Sequence, residues 1–182
     1  MKQLLDSSKV RQWLALSGAA TLIIGTAYVL VQQSTRLAVN DTPRINAESL
    51  KEQLNNGAPA QSLLSGQKID LTQTYLPFAI ITDKSHTVMA ATAELNKTTP
   101  LPPSGVFSYT ESHQIDRITW QPQPGVRLAT VVTKYNNGFI ITGQSLKLAE
   151  DRISTYSELA LAGWLATMIW VSAVFFSRPA KK

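Results

Sequence analysis

Two apolar runs free of ionisable residues stand near the ends of the chain, at residues 13–31 and 159–176. Neither run contains proline, so each can form an unbroken helix. A bilayer core about 30 Å thick needs about 20 helical residues, and both runs approach that length. The pattern predicts two transmembrane helices rather than two buried core helices. The first run is longer than a signal-peptide core and no small-x-small cleavage site follows it, so an uncleaved anchor is expected.

The first part of the segment between the spans has a helical pattern. Asp41-Thr42-Pro43 is expected to end an extension of the first span, and Asn46 is expected to cap the next helix. Leu50 and Leu54 lie four residues apart and predict the buried face of that helix. Asn55-Asn56-Gly57 is a stop signal, because glycine readily adopts the left-handed conformation that follows many helices.

From residue 75 onward, alternating apolar positions and β-branched residues predict strands. The expected strands are residues 77–82, 87–92, 105–110, 117–121, 126–135 and 139–144. The last three are expected to form a meander, because Asn136-Asn137-Gly138 is a strong hairpin signal. The predicted fold class is α+β, with a roughly five-stranded antiparallel sheet and an N-terminal helix, flanked by the two transmembrane helices.

The final strand leads into a seam with alternating spacings of three and four residues, formed by Leu146, Ala149, Ile153, Tyr156, Ala160 and Gly163. One helix is therefore expected to connect the sheet to the second span without a break. This helix either carries movement of the sheet into the bilayer or packs on its own domain or on the first helix. Small residues in the spans, which let helices approach closely, allow the two spans to pair or the chain to dimerise; they are Ser17, Thr21, Gly25, Ala162 and Ala166.

The net charge of +5 is concentrated beside the two spans. The segment between the spans, residues 32–158, contains as many acidic as basic residues. The positive-inside rule therefore places both termini in the cytoplasm and this segment outside it. Nucleic acid is not expected as a partner. The flanking charges are those of Lys2, Asp6, Lys9, Arg11, Arg178, Lys181 and Lys182.

Three stretches resemble the extracytoplasmic PAS-like or Cache-like sensor domains of two-span bacterial membrane proteins. PFAIITDKSHTVMAAT resembles their first hairpin, LPPSGVF the entry to the next strand, and GFIITGQSLKLAEDR the last strand with its exit helix. The whole chain also resembles small two-span bacterial membrane proteins with a TWQP-x-PGVR stretch. The resemblance implies signal transduction and a ligand pocket on one sheet face. The candidate ligand-binding residues are Trp120, Arg127, Tyr109 and Tyr135; the alternative is that they pack in the core and its rim.

Arg127 raises a separate question, because the strand that contains it is apolar on both faces and so is expected to be central and covered. An unpaired buried charge is very costly, so Arg127 has to reach water, an acid or an anionic ligand. Asp116 and Glu111 are the expected acidic partners.

Other chemistry finds little support in the sequence. The chain has no cysteine, which excludes disulfides and thiolate metal sites. The pairs Asp83–His86 and His113–Asp116 each offer two ligands, whereas zinc sites use three or four. No Gly-x-Ser-x-Gly elbow, P-loop or dinucleotide fingerprint occurs. The protein is therefore expected to have no enzymatic activity, metal or cofactor.

The expected protein is a bacterial inner-membrane sensor module with basic tails at residues 1–12 and 177–182, spans at 13–31 and 159–176, and an external domain at 32–158. Because only six residues follow the second span, its output is expected to come from another protein. The alternative is an accessory subunit whose external domain docks a partner and binds no small molecule. The expected partners are the lipid bilayer, a small-molecule ligand, and a partner membrane protein or a second copy of the chain.

Overall fold

The computed structural model describes residues 7–177. In chain order the helices and strands are α1 Ser7–Ala38, α2 Asp41–Asn55, α3 Ala60–Leu63, β1 Ile69–Asp70, β2 Phe78–Asp83, β3 Val88–Ala91, β4 Ala93–Glu94, α4 Ser104–His113, β5 Ile115–Gln123, β6 Val126–Tyr135, β7 Gly138–Ser145 and α5 Lys147–Phe176. The chain divides into two compact units, residues 36–150 and the rest. The former, which we call the sheet unit, contains all of the strands; the latter contains most of α1 and α5.

A five-stranded antiparallel sheet with the order β3-β2-β7-β6-β5 forms the centre of the sheet unit. The short β1 and β4 make a separate parallel pair. Strands β5, β6 and β7 form the predicted meander. The α+β class, the preceding helix α2, the five-stranded sheet and the following helix α5 agree with the prediction from sequence.

Both faces of the sheet are covered, because β6 and its neighbours are apolar on both sides. On one face α2 packs through Ala47 and Leu54 against Val131 and Ile140. Leu50 packs at the margin of the same cluster, so the predicted face of α2 is confirmed. On the other face, α4 contributes to a cluster that contains Phe107, Trp120, Leu128, Val132, Phe139 and Ile141.

The prediction of a strand at residues 105–110 is wrong, because this segment lies in helix α4. Its local pattern suits a strand, but the helix places Phe107 and Thr110, three residues apart, on one buried side. The hydroxyl of Thr110 donates to the carbonyl of Val106 at 2.9 Å, which satisfies a polar group inside the core. Helix formation thus buries one side of the segment over the sheet and leaves Tyr109 exposed.

The predicted interruption between the two helices is present, but it lies at residues 39–40 rather than at 41–43, and the predicted cap at Asn46 is wrong. α2 begins at Asp41 and its N-cap residue is Asn40. Pro43 fits in the first turn, where its missing amide hydrogen costs no helical hydrogen bond. The stop at residues 55–57 is confirmed: α2 ends at Asn55, and Gly57 has a φ of 91°.

Gly138 is required by the neighbouring strand rather than by its own turn. A Cβ atom at this position would lie 2.0 Å from the carbonyl oxygen of Thr82 on β2. Gly125, in contrast, is required by its own turn, because its φ of 83° lies in the left-handed region that glycine tolerates. Pro124 before it also helps to form this β5–β6 turn.

Helices α1 and α5 are long and apolar enough to cross a membrane. Within their unit they contact each other through polar groups. The indole of Trp164 donates to Thr21 at 2.9 Å, that of Trp13 donates to Ser172 at 3.1 Å, and the hydroxyls of Tyr28 and Ser157 lie 2.7 Å apart.

The predicted seam on α5 is therefore correct only in part. Ile153 and Ala160 are partly buried, but Tyr156 and Gly163 are exposed, and the contacts to α1 come from Ser157 and Trp164 instead. Of the small residues, Ser17 is buried at 8% exposure, whereas Ala162 and Ala166 are exposed.

Candidate functional site

The four candidate ligand-binding residues do not meet in one place. Trp120 is 7% exposed and packs in the cluster beneath α4. Tyr135 is 4% exposed and packs in the cluster beneath α2, on the opposite face of the sheet. Tyr109 is exposed on α4, where its ring stacks on His113 with the centroids 3.9 Å apart. Arg127 is exposed at the start of β6.

The side chain of Tyr135 is enclosed by residues of the neighbouring strands and does not line an open pocket. Its hydroxyl donates to the carbonyl of Thr82 at 3.3 Å and lies 3.6 Å from the sulfur of Met89. Burial raises the pKa of the phenol, with a smaller contribution from the negative charge of Asp83. Tyr135 therefore stays neutral and ties the end of β6 to β2 and β3.

Arg127 is paired with Glu150, so the prediction that its partner is Asp116 or Glu111 is wrong. Glu150 lies in the first turn of α5, and Glu111 instead pairs with Lys134 at 2.6 Å. The amide of Leu146 also donates to the carbonyl of Arg127 at 2.9 Å. Arg127 thus connects the start of β6 to the start of α5 by both its backbone and its side chain.

His86 and Asp83 contribute to packing and to a turn. The His86 ring stacks on Phe107 with the centroids 4.2 Å apart. The Asp83 carboxylate accepts hydrogen bonds from the Ser85 hydroxyl at 2.8 Å and from the Thr87 amide at 2.8 Å. These donors hold the pKa of Asp83 below its ordinary value. Among residues 7–177, no group of three potential metal ligands comes together.

A shallow groove lies on the α2 side of the sheet unit, with a volume of about 280 Å³. Asn46 and Ser49 on α2 supply polar groups, and the remaining lining is mostly apolar. Asn46 was predicted only as a helix cap, and two polar residues three positions apart in a helix have no distinctive spacing that would predict a groove. The other lining residues are Leu50, Leu64, Ile69, Pro77, Phe78, Ala79 and Thr92.

The two edge strands of the sheet, β3 and β5, differ in their contacts with the rest of the chain. At the β3 edge, the side chain of Gln61 donates to the carbonyl of Met89 at 3.2 Å. The ammonium group of Lys68 donates to the carbonyl of Ala91 at 2.8 Å. We call β3 the capped edge, because side chains of the same protein satisfy its backbone acceptors.

At the other edge, β5 pairs with β6 on one side, and no strand among residues 7–177 pairs with its other side. We call β5, Ile115–Gln123, the open edge. Arg117, Thr119 and Gln121 alternate along it and are exposed, while Trp120 is buried under α4. The alternation was visible in the sequence, but a sequence does not show which strand of a sheet lies at its edge.

A comparison of the chain with protein-family models, curated proteins and solved structures gives no match.

Proposed function

We propose that this chain is an accessory membrane subunit whose sheet unit docks a partner protein outside the cytoplasm. α1 and α5 serve as the membrane anchor, since both are long and apolar enough to cross a bilayer. The basic residues beside the two apolar runs support cytoplasmic termini. The inner membrane of a bacterium is the proposed location.

The open edge carries this proposal. An unpaired strand edge presents backbone amides and carbonyls that a further strand can bind. At the capped edge, Gln61 and Lys68 bind such carbonyls from within the chain. Among residues 7–177 no strand pairs with the outer side of β5, so a strand of a partner protein is the proposed occupant.

The side chains of β5 define how such a partner would be recognised. In strand addition, backbone hydrogen bonds supply affinity and alternate side chains supply specificity. Arg117, Thr119 and Gln121 are the exposed side chains available for specificity. Pro122 has no amide hydrogen, so the pairing segment is proposed to end before it.

Site-specific photocrosslinking in native membranes tests this proposal. A photoreactive residue at Thr119 should crosslink to a discrete partner, whereas one at Glu52, exposed on α2, should not. Equal labelling from both positions, or none from Thr119, would contradict docking at β5.

A second candidate is the sensor function that the resemblance to PAS-like and Cache-like domains implies. The order of helix, antiparallel sheet and helix supports it, and the groove beside Asn46 and Ser49 is a place where a small molecule would bind. The link between Arg127 and Glu150 would pass a change in the sheet to α5. Native mass spectrometry of the purified protein tests this candidate: a bound small molecule that Ser49→Trp removes would favour sensing over docking.

A further inference from the structure

One end of the sheet contains both chain connections to the long helices. β7 leads into α5 at this end, which we call the exit end. The strand registers show what else lies there: Phe78 at the start of β2 is opposite Gly143, and Leu128 near the start of β6 is opposite Ser145. The loop before β2 and the β5–β6 turn therefore also lie at the exit end.

The junction between α1 and α2 lies at the same end. The side chain of Gln144 donates to the carbonyl of Val39 at 2.9 Å. The hydroxyl of Thr142 donates to the carbonyl of Pro43 at 2.7 Å. The last residue of α2, Asn55, lies at the opposite end, where its side chain accepts a hydrogen bond from the amide of Asn136 at 3.1 Å.

Exposed apolar side chains are concentrated at the exit end. Elsewhere in the sheet unit, the large apolar side chains with comparable exposure are Met89 and Tyr109. The opposite end consists of the polar turns at residues 83–87 and 136–137. The exposed side chains at or beside the exit end are Leu37 at 62%, Ile45 at 57%, Tyr75 at 48%, Leu76 at 62% and Leu148 at 45%.

The loop that carries Tyr75 and Leu76 is held in a defined turn. The amide of Leu76 donates to the hydroxyl of Thr74 at 3.1 Å. Asp70 accepts hydrogen bonds from the amide and hydroxyl of Thr72, at 2.9 and 2.7 Å. Two large side chains are thus exposed next to each other on a loop that local hydrogen bonds order.

We infer that the exit end contacts the lipid surface and that Tyr75 and Leu76 insert at the boundary between headgroups and acyl chains. Tyrosine is enriched there because its ring is apolar and its hydroxyl can remain in the polar layer. Leucine gains from leaving water. The inference rests on the proposed membrane anchoring, because α1 and α5 would hold the exit end close to the bilayer.

The chain has no cysteine, so single-cysteine variants can each carry one fluorophore. The full chain is reconstituted in phosphatidylcholine vesicles that contain lipids with a quencher at a known acyl position. Leu76→Cys reports on the loop, with Tyr75→Cys as its repeat. Asn137→Cys, exposed in the β6–β7 turn, is the matched control at the opposite end, and Leu22→Cys, 71% exposed on α1, reports on anchoring.

Quenching by lipid at Leu22 and Leu76, with none at Asn137, is the expected result, and the label at Leu76 should lie about 5–10 Å into the headgroup–acyl boundary. Quenching at Leu22 but not at Leu76 or Tyr75 would overturn the inference while leaving the anchor intact. Lack of quenching at Leu22 would overturn the anchor and the inference together.

Discussion

The two edge strands of the sheet differ in whether other parts of the chain bind their free backbone groups. The capped edge has four residues, and Gln61 and Lys68 bind its carbonyl groups. The open edge has nine residues and pairs on one side only within the described chain. Edge strands invite pairing with other chains, and proteins commonly cover or interrupt them. Under the proposed docking function, we therefore expect intermolecular contacts of the sheet unit at β5 rather than at β3.

Breaking the sheet between its two edges should have the largest effect. Gly138→Ala places a Cβ atom 2.0 Å from the carbonyl oxygen of Thr82, so β7 and β2 have to move apart. We expect the free energy of unfolding to fall by about 3 kcal/mol. Urea titration of the detergent-solubilised protein, followed by circular dichroism, measures the change.

Gly105→Ala is the control for this substitution, since a Cβ atom there meets nothing within 4 Å and the residue is helical. It should stabilise the protein or leave it unchanged. Similar losses for the two alanine variants would show that the close approach of β2 and β7 is not what makes Gly138 necessary.

Uncapping β3 should make the two edges more alike. Lys68→Met keeps the length of the side chain but removes the donor to the carbonyl of Ala91. We expect a loss of about 1 kcal/mol in unfolding free energy and increased self-association. Size-exclusion chromatography and urea titration measure both, with Lys84→Met in the exposed β2–β3 turn as the control. If the two variants behave alike, the contact between Lys68 and Ala91 does not protect the edge.

Arg127→Met should have a smaller effect, and it acts on the strand beside the open edge. The side chains of Arg127 and Glu150 are 50% and 42% exposed, so their ion pair is screened by solvent. We expect a loss of less than about 1 kcal/mol and no change in docking. A double-mutant cycle with Glu150→Gln isolates the pair. A coupling of several kcal/mol would show that the junction with α5 is essential to the fold.

Acid should weaken the hairpin that holds the capped edge. Hydrogen bonds from the Ser85 hydroxyl and the Thr87 amide lower the pKa of Asp83 from its ordinary value of 3.8. A lowered pKa stabilises the fold above pH 3.8, and this contribution disappears as the pH falls through the folded-state value. Asp83→Asn should reduce the fall in stability at acid pH, and Ser85→Ala should reduce it partially. Unfolding titrations between pH 2 and 6 test this, and an unchanged profile in Asp83→Asn would contradict it.

Thr119→Lys should change stability least and docking most. The residue is exposed on the open edge, so we expect a change within about 0.5 kcal/mol. A charged side chain at this position should oppose an added strand and abolish recovery of the partner complex from membranes. Ser108→Lys, exposed on α4, is the control. Equal recovery with both variants would place docking away from β5.

Much of the fold could be predicted because its signals are local. The two apolar runs lie within α1 and α5, and the apolar residues on both faces of β6 predicted a strand covered on both sides. Asn136-Asn137-Gly138 predicted the turn that joins β6 to β7. In each case neighbouring residues carry the information, since periodicity and turn chemistry act over only a few positions.

The errors occurred where a local pattern allowed two structures. Residues 105–110 suit a strand or a helix, and only packing of Phe107 and Thr110 over the sheet selects the helix. Asp116 and Glu111 lie closer to Arg127 in sequence than Glu150 does, yet the first turn of α5 brings Glu150 to it. The candidate ligand-binding residues do not form one pocket, because Trp120 and Tyr135 lie in successive strands but on opposite faces of the sheet.

By itself, the sequence determined two helices long and apolar enough for a membrane and a meander of strands between them, because hydrophobic periodicity and turn residues act locally. The tertiary structure decided which strands are edges, which edge the chain caps, and which acid neutralises Arg127. These outcomes depend on contacts between residues distant in sequence. Gly138 shows the same division: its place after two asparagines suggests a turn, while the carbonyl of Thr82 is what excludes any larger residue.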